Sequence, residues 1–226
     1  MKTDIENHIF YHMFCVNECI DIFTTAFDKI KQSGLYSKTK TIHLHVNGSR
    51  EDISLNILQL PKDPKIRITK HITNTHGEGN TLVALTNFCL NNDCNVLYLH
   101  SKGVTHPNNK NTDAWRNYME FFMIEKFDEC ICRLPFQHTI GVDYLEFPHK
   151  HYSGNFWWST SEYIKSKYTQ CNEVSINNFT DRMECEFTDR MECEFWLLKG
   201  SSHEIYEAHN SNANLYATEY LRPNYT

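Results

Sequence analysis

The chain has 226 residues, a formal charge of −6 and a pI near 6.1, and the acidic balance without any basic block excludes a groove that neutralises a nucleic-acid backbone. A content of 40% hydrophobic and 13% aromatic residues supports one real core, so a single domain over residues 1–226 is expected. No apolar run reaches the roughly 18 to 20 residues of a membrane helix, and Met1-Lys2-Thr3-Asp4-Ile5-Glu6 lacks the basic-then-apolar layout of a signal peptide, so a cytoplasmic location is expected.

His8 to Cys15 is an apolar and aromatic run that reads as a buried first strand, with Asn17 as the N-cap of a helix from Glu18 to about Gln32. Ile22, Phe23, Ala26, Phe27 and Ile30 fall at three- and four-residue steps, and Gly34 supplies the stop. Thr41 to Val46 alternates as a second strand closed by Asn47-Gly48, Pro61 and Pro64 mark a surface connection, and Ile66 to Ile72 is a third strand. Thr81 to Leu90 reads as helix, and Asn95 to Leu99 as a continuous apolar strand of a sheet centre. Thr112 to Leu134 predicts one long amphipathic helix and Thr139 to Phe147 a further strand. The order predicts an α/β domain with a mixed, mostly parallel sheet flanked by helices, a core of about residues 8–198 and an irregular tail over 199–226.

Nine cysteines, an odd count without disulfide spacing, read as reduced and mostly buried thiols. Cys130 and Cys132 are two apart in a helical segment, so they point to different faces and suit a zinc pair poorly. The sequons at Asn47, Asn178 and Asn224 bear on structure only in a secreted chain. Residues 179–186 (FTDRMECE) recur as residues 187–194. Eight helical residues turn through about 800°, about 80° out of register, so one helix cannot absorb the insert with both flanks fixed. The second copy runs into Phe195-Trp196-Leu197-Leu198 and reads as the one in register.

The predicted strand at Asn95–Leu99 delivers His100-Ser101-Lys102-Gly103 at its carboxyl end, where open α/β sheets collect ligands. Taken with Trp115-Arg116, with His151 through Trp158 (HYSGNFWW) and with Arg190-x-x-x-Glu194-x-Trp196, this strand resembles a family of short glycosyltransferases of giant DNA viruses and some microbes. The similarity runs from about residue 8 to 198. It implies a GT-A type of fold related to the Rossmann fold, a nucleotide-diphosphate sugar donor (UDP- or dTDP-linked, hexosyl or deoxyhexosyl), a glycan acceptor and inversion at the anomeric carbon. For a viral chain it also implies the host cytoplasm or a virus factory.

Most GT-A enzymes place an Asp-x-Asp after that strand to hold Mn²⁺ or Mg²⁺ against the diphosphate; here the positions read His100 and Lys102. A lysine point charge or an arginine fork neutralises a leaving diphosphate in place of an ion, which makes Lys102 and Arg116 the candidates. His100 either coordinates a metal or donates to a phosphate. The acceptor hydroxyl needs a base. Chain order in the family assigns that role to Glu194, with Glu186 and Glu192 as competitors created by the duplication and Asp143 as an independent alternative. In the His151–Trp158 segment, Gly154 permits close backbone approach, Ser153 and Asn155 offer polar atoms, and Trp157-Trp158 offers flat faces for a sugar, although adjacent side chains cannot share a face and one indole is expected in the core. Asn17 and Glu78 are placed either to meet the base or ribose or to cap helices.

Two other readings compete. Thirteen histidines suggest a metal-dependent hydrolase, but His43/His45, His149/His151 and His203-Glu204 lack zincin spacing. A glycan-binding module would use the tryptophans and need neither Lys102 nor Glu194. No glycine-rich phosphate loop supports a kinase or a dehydrogenase.

Overall fold

The computed structural model describes residues 5–73, 77–169, 190–201 and 205–226. The chain is a mixed α/β, Rossmann-like domain whose seven-stranded sheet is flanked by helices. Its first half is β1 (Glu6–Phe14), α1 (Cys19–Gln32), a short α2 (Leu35–Lys38), β2 (Thr39–Gly48), α3 (Arg50–Ile57), β3 (Ile66–Ile72), α4 (Glu78–Asn91) and β4 (Cys94–His100). β1 pairs in parallel with both β2 and β4, and β2 with β3. The second half is α5 (Lys110–Glu120), a π-helical turn at Phe121–Glu125, α6 (Phe127–Gln137), β5 (Thr139–Gly141), β6 (Tyr144–Leu145), β7 (His151–Tyr152), β8 (Trp157–Thr160), α7 (Ser161–Thr169), α8 (Arg190–Phe195) and β9 (Tyr206–Glu207). The sheet order is β3-β2-β1-β4-β8-β5-β9, in which only β8 runs against the rest. β6 and β7 form a separate hairpin.

The apolar spacing of α1 buries Ile22, Phe23, Ala26, Phe27 and Ile30 against the sheet. β4 is apolar without alternation because helices cover both of its faces, and Val96, Leu97, Tyr98 and Leu99 are all fully buried. Its carboxyl end lies beside that of β1, the point at which the sheet order reverses direction from β1, with β2 on one side and β4 on the other.

Five differences from the sequence expectations have physical causes. Glu18, not Asn17, precedes α1, because Asn17 takes φ +45° and turns its amide to the Val104 carbonyl at 2.7 Å. The stretch after Gly48 holds α3, started by Ser49, whose hydroxyl accepts the Asp52 N–H. The long helix of residues 112–134 is broken by the π turn, where Lys126 N–H reaches back five residues to the Phe121 carbonyl and the Trp158 indole donates to the Met123 carbonyl at 2.9 Å. The strand of residues 139–147 is interrupted by Asp143 at φ +47°. The tail contributes β9 to the sheet edge, where Ala208 N–H bonds the Gly141 carbonyl.

Among the described residues all seven cysteines are free, and Cys130 is buried while Cys132 is exposed, as their two-residue spacing requires. No described helix is long and apolar enough to cross a membrane. The first duplicate copy with Glu186, the sequon Asn178, and His203-Glu204 lie outside the described residues, and the second copy enters them at residue 190 as α8.

Candidate functional site

The carboxyl ends of β1 and β4 frame a depression of about 380 Å³ lined by His12, Phe14, Glu78, His100 and the Ser101–Thr105 loop. A second of about 220 Å³ adjoins it, lined by Glu78, His100, Lys102, Gly154, Asn155 and Glu194. The two share Glu78, His100 and Lys102, so residues spread from position 12 to position 194 form one continuous surface.

The lysine is held in place. Its Nζ stands 3.6 Å from the centre of the Trp115 ring, and Lys102 and Trp115 are 7% and 2% exposed. Arg116 donates to the Lys102 carbonyl at 2.6 Å and pairs with Asp113 at 2.8 Å, so it braces the loop and does not line either depression. Gly103 takes φ +91°, and a Cβ there would stand 2.8 Å from Thr112 and 3.1 Å from the Arg116 guanidinium. The loop therefore needs glycine for both conformation and space. The Ser101 hydroxyl accepts the Phe14 N–H, and the Ser101 N–H bonds the His12 carbonyl, tying the loop to β1.

Beneath the first depression His12 is buried, with Nδ1 3.0 Å from both the Thr81 hydroxyl and the Asn47 amide nitrogen. The amide is a donor, so Nδ1 accepts and the ring is neutral; burial presses its pKa down to about 3. Glu78 opens α4, and its Oε1 accepts from the Tyr98 hydroxyl at 2.9 Å and the Asn155 amide at 2.7 Å.

Across the second depression the Gly154 peptide is held at both ends. Its N–H donates to Glu194 Oε1 at 2.9 Å, and its carbonyl accepts from His100 Nε2 at 3.0 Å. A carbonyl only accepts, so His100 carries its proton on Nε2 and only Nδ1 retains a lone pair. Gly154 takes φ +87°, with Met119 Sδ 2.5 Å and Trp115 Nε1 3.1 Å from where a Cβ would be. That indole N–H is buried and has no hydrogen-bond partner among the described residues.

Of the expected site residues, the structure brings together Glu78, His100, Ser101, Lys102, Gly103, Gly154, Asn155 and Glu194, with Trp115 packed beneath the lysine. It does not bring in the tryptophan pair. Trp157 and Trp158 are 1% and 0% exposed, the first stacked on Tyr98 and bonded to Asn155, the second bonded to Met123, so neither offers a face to a sugar. His151 is buried against Phe195 with Nδ1 on the His149 carbonyl, and Ser153 contributes its N–H to the Asp143 carbonyl. The Asp143 carboxylate accepts from Ser211 and Tyr118 in a separate network, where burial raises its pKa above the usual carboxylate range. Glu192 pairs with Lys199. His12, Phe14, Val104 and Thr105 also line the site and carry no local sequence signal; the rule about strand ends identifies them once β1 and β4 are known to be neighbours.

A family model for a domain of unknown function, DUF8361, matches residues 10–212, and no curated protein matches. The match spans every residue of the site, and the chain belongs to this family.

Proposed function

We propose that this member of the DUF8361 family is a glycosyltransferase that moves a sugar from a nucleotide-diphosphate donor to an acceptor hydroxyl. The observation that carries the reading is the shared rim of the two depressions. A buried lysine at the end of a central strand faces the same space as a carboxylate from a late helix. In the proposed reaction the acceptor oxygen attacks the anomeric carbon, the bond from that carbon to the diphosphate oxygen breaks, and the acceptor proton passes to Glu194. A single displacement of this kind inverts the anomeric carbon. Lys102 neutralises the charge that grows on the departing diphosphate, and its fixed position spares reorganisation during the reaction.

The donor set fits a bridging divalent ion poorly. At the two expected positions stand an imidazole whose Nε2 is committed to Gly154 and an ammonium that repels cations. No step is therefore assigned to an ion. The sealed indoles also remove the flat faces on which a glycan-binding module would rest.

The test is thermal stabilisation by UDP, dTDP and their sugar conjugates, each with and without Mn²⁺. We expect one nucleoside diphosphate to raise the melting temperature of the wild type and to lose that effect in Lys102→Ala. A folded protein that responds to none of them refutes the reading.

A further inference from the structure

Asn155 spends both of its donors and one acceptor position on the protein. Its amide nitrogen donates to Glu78 Oε1 at 2.7 Å and to the Cys193 carbonyl at 3.4 Å, which uses both N–H groups. Its oxygen accepts the Trp157 indole N–H at 2.8 Å, and the residue is 4% exposed. The backbone takes φ +60°, a conformation that asparagine tolerates better than most residues. These bonds join three elements: α4 through Glu78, β8 through Trp157, and α8 through Cys193, the residue before Glu194. The preceding residue, Gly154, bonds Glu194 itself.

From this geometry we infer that Asn155 is a positioning residue. Its side chain ties the Glu78 carboxylate on the donor side to the helix that carries Glu194, fixing the two carboxylates across one depression, with both of its N–H groups spent on that tie. The inference deepens the transferase reading and rests on it for the identity of the two sides. Glu78 and Glu194 line the same depression from different elements, so donors that fix one relative to the other set the shape of that space. The other titratable groups facing Glu78 are Tyr98 from β4, His12 from β1, and His100, Lys102 and Glu194 around the rim.

Two variants separate positioning from bulk. Asn155→Gly keeps the positive φ and deletes the amide. Asn155→Asp keeps the shape and the acceptor for Trp157 but sets a second carboxylate against Glu78, and such a pair releases its second proton only at raised pH. In Asn155→Asp we expect UDP or dTDP affinity, measured by calorimetry with whichever nucleotide stabilises the wild type, to fall about tenfold at pH 8 and to recover at pH 6, where a shared proton restores a donor to Glu78. Asn155→Gly should lose affinity equally at both pH values. A pH profile for Asn155→Asp that is the wild-type profile scaled by a constant overturns the inference.

Hydrogen exchange without nucleotide tests the tie separately from the function. Glu78→Ala should speed exchange over residues 190–198 and should add nothing in the Asn155→Gly background. Unchanged exchange in both single variants overturns the inference. Coupled exchange in a wild type that responds to neither nucleotide keeps Asn155 as the tie and removes the transferase reading instead.

Discussion

The sheet face beside the site carries imidazoles that the fold keeps neutral, and His45 gives the cleanest test. It is 3% exposed, its Nδ1 lies 2.9 Å from His71 Nε2, and burial, aided by the neighbouring His71 and His43, presses its pKa to about 3. The unfolded chain binds a proton near pH 6.5 while the folded chain does not, so stability is fully present above about pH 6.5 and is lost as pH falls from there toward 3. Between pH 7 and pH 5 the loss from one such group is about 2 kcal/mol, and His12 and His43, pressed to about 3 and about 4, add similar amounts. Asn at position 45 retains a polar contact with His71 and cannot titrate. Urea unfolding of the wild type and His45→Asn at the two pH values should show the variant losing about 2 kcal/mol less on acidification, with unchanged urea dependence. Carboxylate titrations cancel in this difference. Equal losses in the two proteins would refute the claim that burial keeps His45 neutral in the fold.

Glu194→Gln should abolish sugar transfer while leaving the melting-temperature response to the nucleotide within about 1 °C of wild type, read by product assay and thermal shift. Gly154→Ala meets Met119 at 2.5 Å and holds a side chain at φ +87°, so it should cost about 1–3 kcal/mol in urea unfolding. Gly34→Ala has the same φ with nothing within 4 Å, and should cost about 1 kcal/mol. Glu120 is 2% exposed and rests on Lys29 at 2.6 Å, so Lys29→Met should cost about 3 kcal/mol and the double variant Lys29→Met/Glu120→Leu should recover most of it, again by denaturation.

The parts of the fold that the sequence made legible are those decided by local pattern. Ile66–Ile72 matches β3 residue for residue, and the run from Asn95 to Leu99 announces a strand covered on both faces. The misses have long-range causes. The π turn depends on the Trp158 indole reaching Met123, a partner 35 residues away, and nothing periodic in residues 112–134 records it. α3 buries only Ile53, so its apolar signal is faint, although Ser49 with Asp52 marks its start. The tryptophan pair was legible by half. Alternation puts the two indoles on opposite faces of a strand, but β8 lies between β4 and β5 with both faces covered, so both rings are core. At the site, the His100–Gly103 tetrapeptide was readable from its place at a strand end, whereas His12 needed the pairing of β1 with β4 across 88 residues.

That pairing also accounts for the rigidity of the lysine. Its loop leaves β4 and is tied to β1 by Ser101 on both sides, the Lys102 carbonyl is fixed by Arg116, and the ammonium rests on the Trp115 face. Few rotamers remain for the side chain to lose, so under the proposed reading the entropy of holding a flexible lysine for the diphosphate is met in folding and not in binding. The same buttressing explains why the segment between Gly154 and Trp158 is so aromatic although its rings are buried. Trp157 holds Asn155, Trp158 closes the π turn, and Phe156 packs edge-on against His100 at 5.0 Å, so the rings brace the polar atoms that line the depression. On this argument, trimming a ring from this segment would loosen the site from behind, raising the ordering cost of binding without removing any atom that meets the ligand.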